Sequence, residues 1–221
     1  MKNDYHSKEI SYYQNIPFYL EPFIPGKIQI VLDVGCSSGQ IKFLLKDKMR
    51  LNCEIWGVEP ELRSVEIAKQ NLDTVFHGFF NHEIDFGGQK FDCIFFNDVL
   101  EHMYDPAEAL TTAKKLLNEG GEIVASIPQV RFYKIIKQLL LQKDWRYEES
   151  GVMDATHIRF FTKKSIIRMF KECGYEVETI KPICNVLPFN QKLKYLYRIF
   201  EFIIGDIFYT NYAVVAKPRL T

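Results

Sequence analysis

An α/β fold, with a parallel sheet covered by helices on both faces, is predicted by three observations. Short apolar runs alternate with helical patterns along the chain. The first run ends in an acid, Asp33, and passes into a loop of small residues, Val34-Gly35-Cys36-Ser37-Ser38-Gly39. The second ends in another acid, Glu59, about twenty residues past Gly39. Two strands that each close in a carboxylate, the first leading into a tight glycine turn, make a nucleoside-binding crevice.

The elements follow in order. Strand one is Ile28–Asp33, and the helical pattern after the loop begins at Ile41-Lys42-Phe43-Leu44-Leu45, whose first turn aims free amide groups at the loop. Strand two is Glu54–Glu59. Pro60 stands at a favoured first helical position and opens a helix to about Asn71. Strands three and four are Thr74–Phe79 and Phe91–Asn97. The next helix has Asp105 as N-cap, Pro106 at N1 and Glu108 at N3. It stops at Gly120-Gly121, where glycine supplies a left-handed cap. Strand five is Glu122–Ile127. Thr162 caps a further helix that ends at Gly174, with Ile166, Ile167, Met169 and Phe170 as its apolar face. Strand six is Glu176–Pro182 and strand seven Asn211–Lys217.

Two segments exceed this scaffold, Val130 to Phe161 and Ile183 to Thr210. The core of the second, Leu193 to Ile204, is a helix rich in aromatic and branched residues around Tyr195, yet it carries Lys194, Arg198 and Glu201. It is too short and too charged to span a bilayer. Packing on the domain, a substrate lid, a dimer face and a peripheral contact with a membrane-linked substrate all stay open for it. The expected organisation is one domain over 1–221, with extra segments at about 130–161 and 183–210 shaping an acceptor site or an interface. Monomer and homodimer both fit.

Composition removes several classes. Lys+Arg and Asp+Glu are both 28, so net charge is zero, and a partner bound through phosphate neutralisation is not expected. The first residues, Met1 to Ser11, are polar and charged and lack the apolar stretch of a signal peptide, which predicts a cytoplasmic protein. Five scattered cysteines, never spaced C-x-x-C, predict neither a disulfide framework nor a structural zinc, and no metal is expected.

The loop chemistry narrows the ligand. Gly35 and Gly39 allow positive φ and close approach. The dehydrogenase fingerprint needs G-x-G-x-x-G, but from Gly35 the third and sixth positions are Ser37 and Gln40; no G-K-[ST] follows either. A nucleoside without a pyrophosphate fits better.

With these motifs in place, the chain resembles the class I S-adenosylmethionine-dependent methyltransferases. Asp33, Gly35 and Gly39 match the family's [DE]-x-G-x-G-x-G, with Ser37 where the middle glycine usually stands. Gly57-Val58-Glu59-Pro60 resembles the ribose-binding turn, Phe91 to Met103 strand four and its loop, and Leu116 to Val124 the turn into strand five. The resemblance implies a Rossmann-like, seven-stranded, mostly parallel sheet whose last strand runs antiparallel between strands five and six, with extra helical segments as a lid. It implies S-adenosylmethionine as cofactor and S-adenosylhomocysteine as product. Asp33, Gly35, Cys36, Ser37 and Gly39 would flank the methionine part, Glu59 would hold the ribose, and Asn97 and Asp98 would order the amino group. No acid follows strand three, so Phe79 is the candidate to pack on the adenine, with backbone or Asn81 bonding its amino group.

The reaction needs a nucleophile placed behind the methyl and a base to take its proton. Histidine has the best matched pKa. His102 lies just past Asp98 at the mouth of strand four; its structural alternative is a helix-start histidine fixed by Glu101. His157 lies in Asp154-Ala155-Thr156-His157-Ile158-Arg159-Phe160-Phe161, a stretch that resembles a segment of bacterial methyltransferases of cell-surface polysaccharides and quinones. Its alternative is a polar cluster of Asp154, His157 and Arg159 that orients the loop. Tyr12 and Tyr13 are placed on an N-terminal helix. The expected acceptor is a small molecule or a sugar, methylated at oxygen. A nucleic-acid base enzyme would carry [DN]-P-P-[YF], which Asn97-Asp98-Val99-Leu100 lacks, and the acids of a catechol-type metal enzyme do not assemble. The non-enzymatic alternative is a cofactor-binding regulatory or scaffold protein on the same fold.

Overall fold

The computed structural model describes residues 16–186 and 205–219. The calls on Tyr12, Tyr13 and the aromatic helix around Tyr195 lie outside them. A seven-stranded sheet has the order β3-β2-β1-β4-β5-β7-β6. Its strands are β1 Ile30–Val34, β2 Glu54–Glu59, β3 Thr74–His77, β4 Phe91–Asn97, β5 Leu117–Pro128, β6 Tyr175–Asn185 and β7 Tyr209–Pro218. The first five pair in parallel. β7 pairs antiparallel with β5 on one side and β6 on the other, as the resemblance implies.

Strand alternation builds two core layers. Leu32, Val34, Ile94 and Phe96 face one side, against Ala109, Leu110, Ile166 and Phe170. Val31, Cys93, Phe95 and Val124 face the other, against Leu20, Leu44, Leu45, Ala68 and Leu72. Each large apolar side chain buried this way contributes about 1.5–3 kcal/mol. The helices on these layers are α1 Leu62–Ala68, α2 Pro106–Leu116 and α4 Lys163–Glu172, together with a π-helical turn at Phe43–Lys48 and a 3₁₀ turn at Phe18–Phe23, while α3 Tyr133–Lys137 buries Ile135 in a separate small cluster with Phe132, Val152 and Met153.

Local rules explain most helix starts. The Asp105 side chain accepts from Glu108 N with Pro106 at N1, and Thr162 with Ser165 forms a reciprocal capping box. Gly174, at φ +81, follows α4. Several boundaries differ from expectation: β1 runs from Ile30 to Val34, α1 ends at Ala68, β3 ends at His77, β5 runs from Leu117 to Pro128, and β6 and β7 are longer at both ends. Two further helix boundaries differ for a reason that local contacts make plain. Helix α1 starts at Leu62, because the Glu61 carboxylate takes the Ser64 amide and so becomes the cap in place of a Pro60 start. Helix α2 ends at Leu116, not at Gly120-Gly121, because Leu117 already pairs with Phe91. Gly120, at φ +76, serves instead the irregular stretch before Glu122 rejoins the ladder opposite Cys93. Among the described residues, no helix is long and apolar enough to cross a membrane.

Candidate functional site

The carboxyl ends of β1, β2 and β4 open into one cavity of about 970 Å³. Asp33 lies near the end of β1, and the loop turns at once after it. Gly35 takes φ +69 and a Cβ there would stand 2.6 Å from Val99 Cγ2, so this glycine is required by the strand-four loop as well as by its conformation. Ser37 also takes positive φ, at +51, in the place where the family pattern has glycine. Its amide donates to Glu59 Oε2 at 2.9 Å, which fastens the loop to the end of β2. The other Glu59 oxygen accepts the Glu61 amide at 2.9 Å. Gly39 is off the cavity wall; at φ +81, a Cβ would stand 3.0 Å from Asn71 Cβ and Leu72 Cγ, so its role is close packing behind the loop.

Asp33, Gly35, Cys36, Ser37, Glu59, Phe79, Asn97, Asp98, His102 and His157 all line the cavity. The sequence therefore brought together ten of its eleven candidates, Gly39 being the exception. Phe79 is 69% exposed, at the rim. Asn81 is turned to its own loop, where it bonds Glu83.

Three buried acids, Asp33, Glu59 and Glu101, and the half-buried Asp98 give the cavity its electrostatic character. Asp33 is 5% exposed and no hydrogen-bond partner reaches its carboxyl among the described residues. Burial, with the Glu59 carboxylate beside it, pushes it up to about 8. Burial raises Glu59 too, opposed by its two amide donors. Burial raises Asp98 against the pull of Ser126, Tyr19, His157 and Asn211. Burial with Asp98 nearby holds Glu101 well above the usual carboxylate range. Such a lining suits a cation, and Asp33 in particular calls for a donor from a ligand.

Asp98 sits at φ +53, an uncommon conformation for a residue with a side chain. Its carboxylate collects Ser126 Oγ, Asn211 Nδ2 at 2.7 Å and the Tyr19 hydroxyl at 3.1 Å. Tyr19, Ser126 and Asn211 were not singled out in the sequence. Each comes from a separate element, and none sits in a short motif.

Another part of the cavity wall is built by β4's continuation and the 150–157 loop. Leu100–His102 forms a single 3₁₀ turn, and the His102 ring stands edge-on to the His157 ring with centroids 4.7 Å apart. His157 Nδ1 lies 3.0 Å from Val152 O, and His102 Nδ1 3.2 Å from Thr156 O. Asp154 accepts from the Thr156 amide and hydroxyl, and Arg159 donates to Tyr104 O. Asp154 and Arg159 thus brace the loop, whereas His157 both braces it and reaches the cavity.

A family model described as a methyltransferase domain matches residues 8–180. A ubiquinone biosynthesis O-methyltransferase of Cereibacter sphaeroides is 26% identical over 154 residues, covering 66% of this chain and 60% of that protein. The chain spans about three fifths of the length of such curated relatives. A SAM dependent methyltransferase from Archaeoglobus fulgidus superposes with a TM-score of 0.65 at 18% identity, over 90% of both chains. A plantazolicin methyltransferase solved in complex with SAH gives 0.66 at 16% identity, over 98% of this chain and 91% of that one. These two likenesses show the fold.

Proposed function

From a chain that belongs to the class I S-adenosylmethionine-dependent methyltransferases, as the match over residues 8–180 shows, we propose a specific division of the cavity. The Asp33–Glu59 end holds S-adenosylmethionine, and the His102–His157 end holds a small-molecule or sugar acceptor that is methylated at oxygen. The observation that carries this reading is the Asp33 carboxyl: it stands at the glycine turn with no hydrogen bond to it from the described residues, in the same cavity as Glu59 and the histidine pair.

When bound, S-adenosylmethionine supplies an electrophilic methyl on a cationic sulfur, together with an ammonium group. Asp33 meets the cationic methionine end, where a ligand donor would relieve its isolation. Glu59 accepts the ribose hydroxyls through lone pairs left over by Ser37 and Glu61. Phe79 covers the base at the rim. Asp98, held by three donors, fixes the floor between the two halves. The gain in rate comes chiefly from alignment, since well-oriented pairs reach effective molarities of about 10⁵ M or more.

His102 and His157 face the acceptor hydroxyl. Each directs Nδ1 to a backbone carbonyl, so either could take a proton only through Nε2. The O-methyltransferase relative supports oxygen as the receiving atom. The test is a calorimetric titration with S-adenosylhomocysteine, followed by methyl transfer from labelled cofactor to phenolic, quinol and sugar hydroxyls. Binding of S-adenosylhomocysteine with label on oxygen is expected. No binding overturns the donor half, and label on nitrogen or carbon overturns the acceptor half.

A further inference from the structure

In the cavity that Asp33 and Glu59 also line, three potential ligands converge from two separate stretches of chain. Glu101 and His102 lie on the 3₁₀ turn after β4, and His157 on the loop after Gly151. One nitrogen or oxygen from each lies within 4.8 Å of the others. All three residues line the cavity.

Glu101 supplies the independent observation. It is 0% exposed, and among the described residues neither carboxyl oxygen has a hydrogen-bond partner. His157 Nε2 stands 3.9 Å from Oε1, beyond hydrogen-bond length. A carboxyl group is not buried without donors unless a proton or a cation meets it. The backbone around it is anything but loose: Glu101 O accepts the amides of Ile158 and Arg159, both at 3.0 Å, which locks the His157 loop onto the Glu101 turn.

The histidine tautomers point the same way. Val152 O and Thr156 O can only accept, so Nδ1 of His157 and of His102 each carries the proton. In the neutral rings Nε2 then carries no proton. Histidines that bind metals are oriented in this way, by a carbonyl on the opposite ring nitrogen. Two imidazoles and one carboxylate suit a borderline divalent ion, while Ca²⁺ and Mg²⁺ favour sets made of oxygen.

We propose that Glu101, His102 and His157 bind a divalent cation of the first transition row, leaving its cavity side open to an oxygen of the acceptor. The absence of a metal from the sequence expectation has a simple origin: ligands drawn from two separate loops form no short spacing. The cation's role rests on the methyl-transfer reading of the cavity. There it would take the acceptor hydroxyl as a ligand and make it acidic enough to give its proton to bulk water, so that the oxygen bonds the methyl carbon as the carbon–sulfur bond breaks, with the two histidines as ligands and not as proton acceptors. The binding site itself stands without that reading.

The test uses the full chain, stripped with a chelator and titrated with Zn²⁺, Mn²⁺ and Co²⁺ by calorimetry, with Co²⁺ also followed by its visible absorption. One equivalent of at least one cation is expected to bind, with a Co²⁺ band of nitrogen–oxygen coordination. Glu101→Gln and His157→Gln should each lower that affinity by about a hundredfold, with an unchanged far-UV circular dichroism spectrum. Should Glu101→Gln fail to fold, His102→Gln replaces it, since His102 is the partly exposed member. No binding of any of the three cations, or binding that none of the variants weakens, overturns the site. S-adenosylhomocysteine is titrated in parallel: its binding without a cation removes the metal site and leaves the methyl-transfer reading, and the converse removes that reading alone.

Discussion

Tyr19 ties the 3₁₀ turn at Phe18–Phe23 to the end of β4. Its hydroxyl lies 2.9 Å from Asn97 Oδ1 and 3.1 Å from Asp98 Oδ2. Burial and the Asp98 charge raise the phenol's pKa, so it stays a donor at every working pH. Tyr19→Phe removes that donor while Ser126 and Asn211 still hold Asp98. A hydrogen bond to a charged group is worth about 1.5–3 kcal/mol, and the lower end is expected because two acceptors share one proton. Urea unfolding measures the loss; an unchanged midpoint would show that the turn is held by Leu20 packing alone.

Glu59 is expected to be intolerant even of its isosteric amide. Both carboxylate oxygens accept backbone amides, so the NH₂ of Glu59→Gln would face the Ser37 or the Glu61 N–H. The variant should bind S-adenosylhomocysteine about 1–3 kcal/mol more weakly by calorimetry. Equal affinity would remove Glu59 from the ribose site.

Gly35→Ala meets two obstacles at once, a left-handed φ and the Val99 side chain. The conformation alone costs about 1–2 kcal/mol. Adding Val99→Ala should restore the part due to contact and leave the conformational part. Chemical denaturation of the single and double variants separates the two; a double variant as unstable as Gly35→Ala would place all of the cost in the backbone.

Asp33 makes both stability and cofactor binding depend on pH. Its folded pKa of about 8 lies above the ordinary carboxylate value, so its contribution to stability is full below that ordinary value and is lost as pH rises through about 8. Glu59 and the Cys36 thiol are the titratable groups that face it, and burial keeps the thiol neutral. The ammonium of the ligand's methionine part reverses the preference, because it favours the ionised carboxyl. S-adenosylhomocysteine binding should therefore strengthen from pH 6 to pH 8, by up to about tenfold per unit, with release of a proton. Calorimetry in buffers of different ionisation enthalpy counts that proton. Asp33→Asn should flatten the profile, and a pH-independent affinity in the wild type would refute the coupling.

Thr162→Ala provides the contrast. It removes one half of the capping box on α4 and should cost about 1 kcal/mol of stability. No effect on S-adenosylhomocysteine affinity is expected, since Thr162 is not part of the cavity wall. A binding change comparable to that of Glu59→Gln would show that α4 transmits to the site.

What was legible in the sequence follows the range of the interactions responsible. The bounds of β2 and β4 and the starts of α2 and α4 are set by residues within one turn or one strand, and they were read correctly. Asp33, Glu59 and the glycine loop are adjacent in sequence to the strands that present them. The cavity is another matter. Asp98 is held by Tyr19, Ser126 and Asn211, partners that sheet order alone brings near. Glu101 read as a neighbour of His102, because nothing in its surroundings announces that the 150–157 loop will fold over it. Gly120 was misread for a related reason: a glycine after a helix looks like a cap until the pairing of Leu117 with Phe91 is known.

The placement of β7 also governs when the site can exist. Asn211 reaches Asp98 from a strand that lies between β5 and β6, so β6 joins the sheet only through a partner made after it. A ribosome therefore releases the glycine turn, Glu59 and the histidines long before the strand that completes the floor beneath them. Until then β5 presents an unpaired edge, and the acids of the cavity, Asp33, Glu59, Asp98 and Glu101, have an open side to water. Such late, long-range pairing makes for slow final folding. Completion of the floor around Asp98 and closure of the sheet therefore become one event.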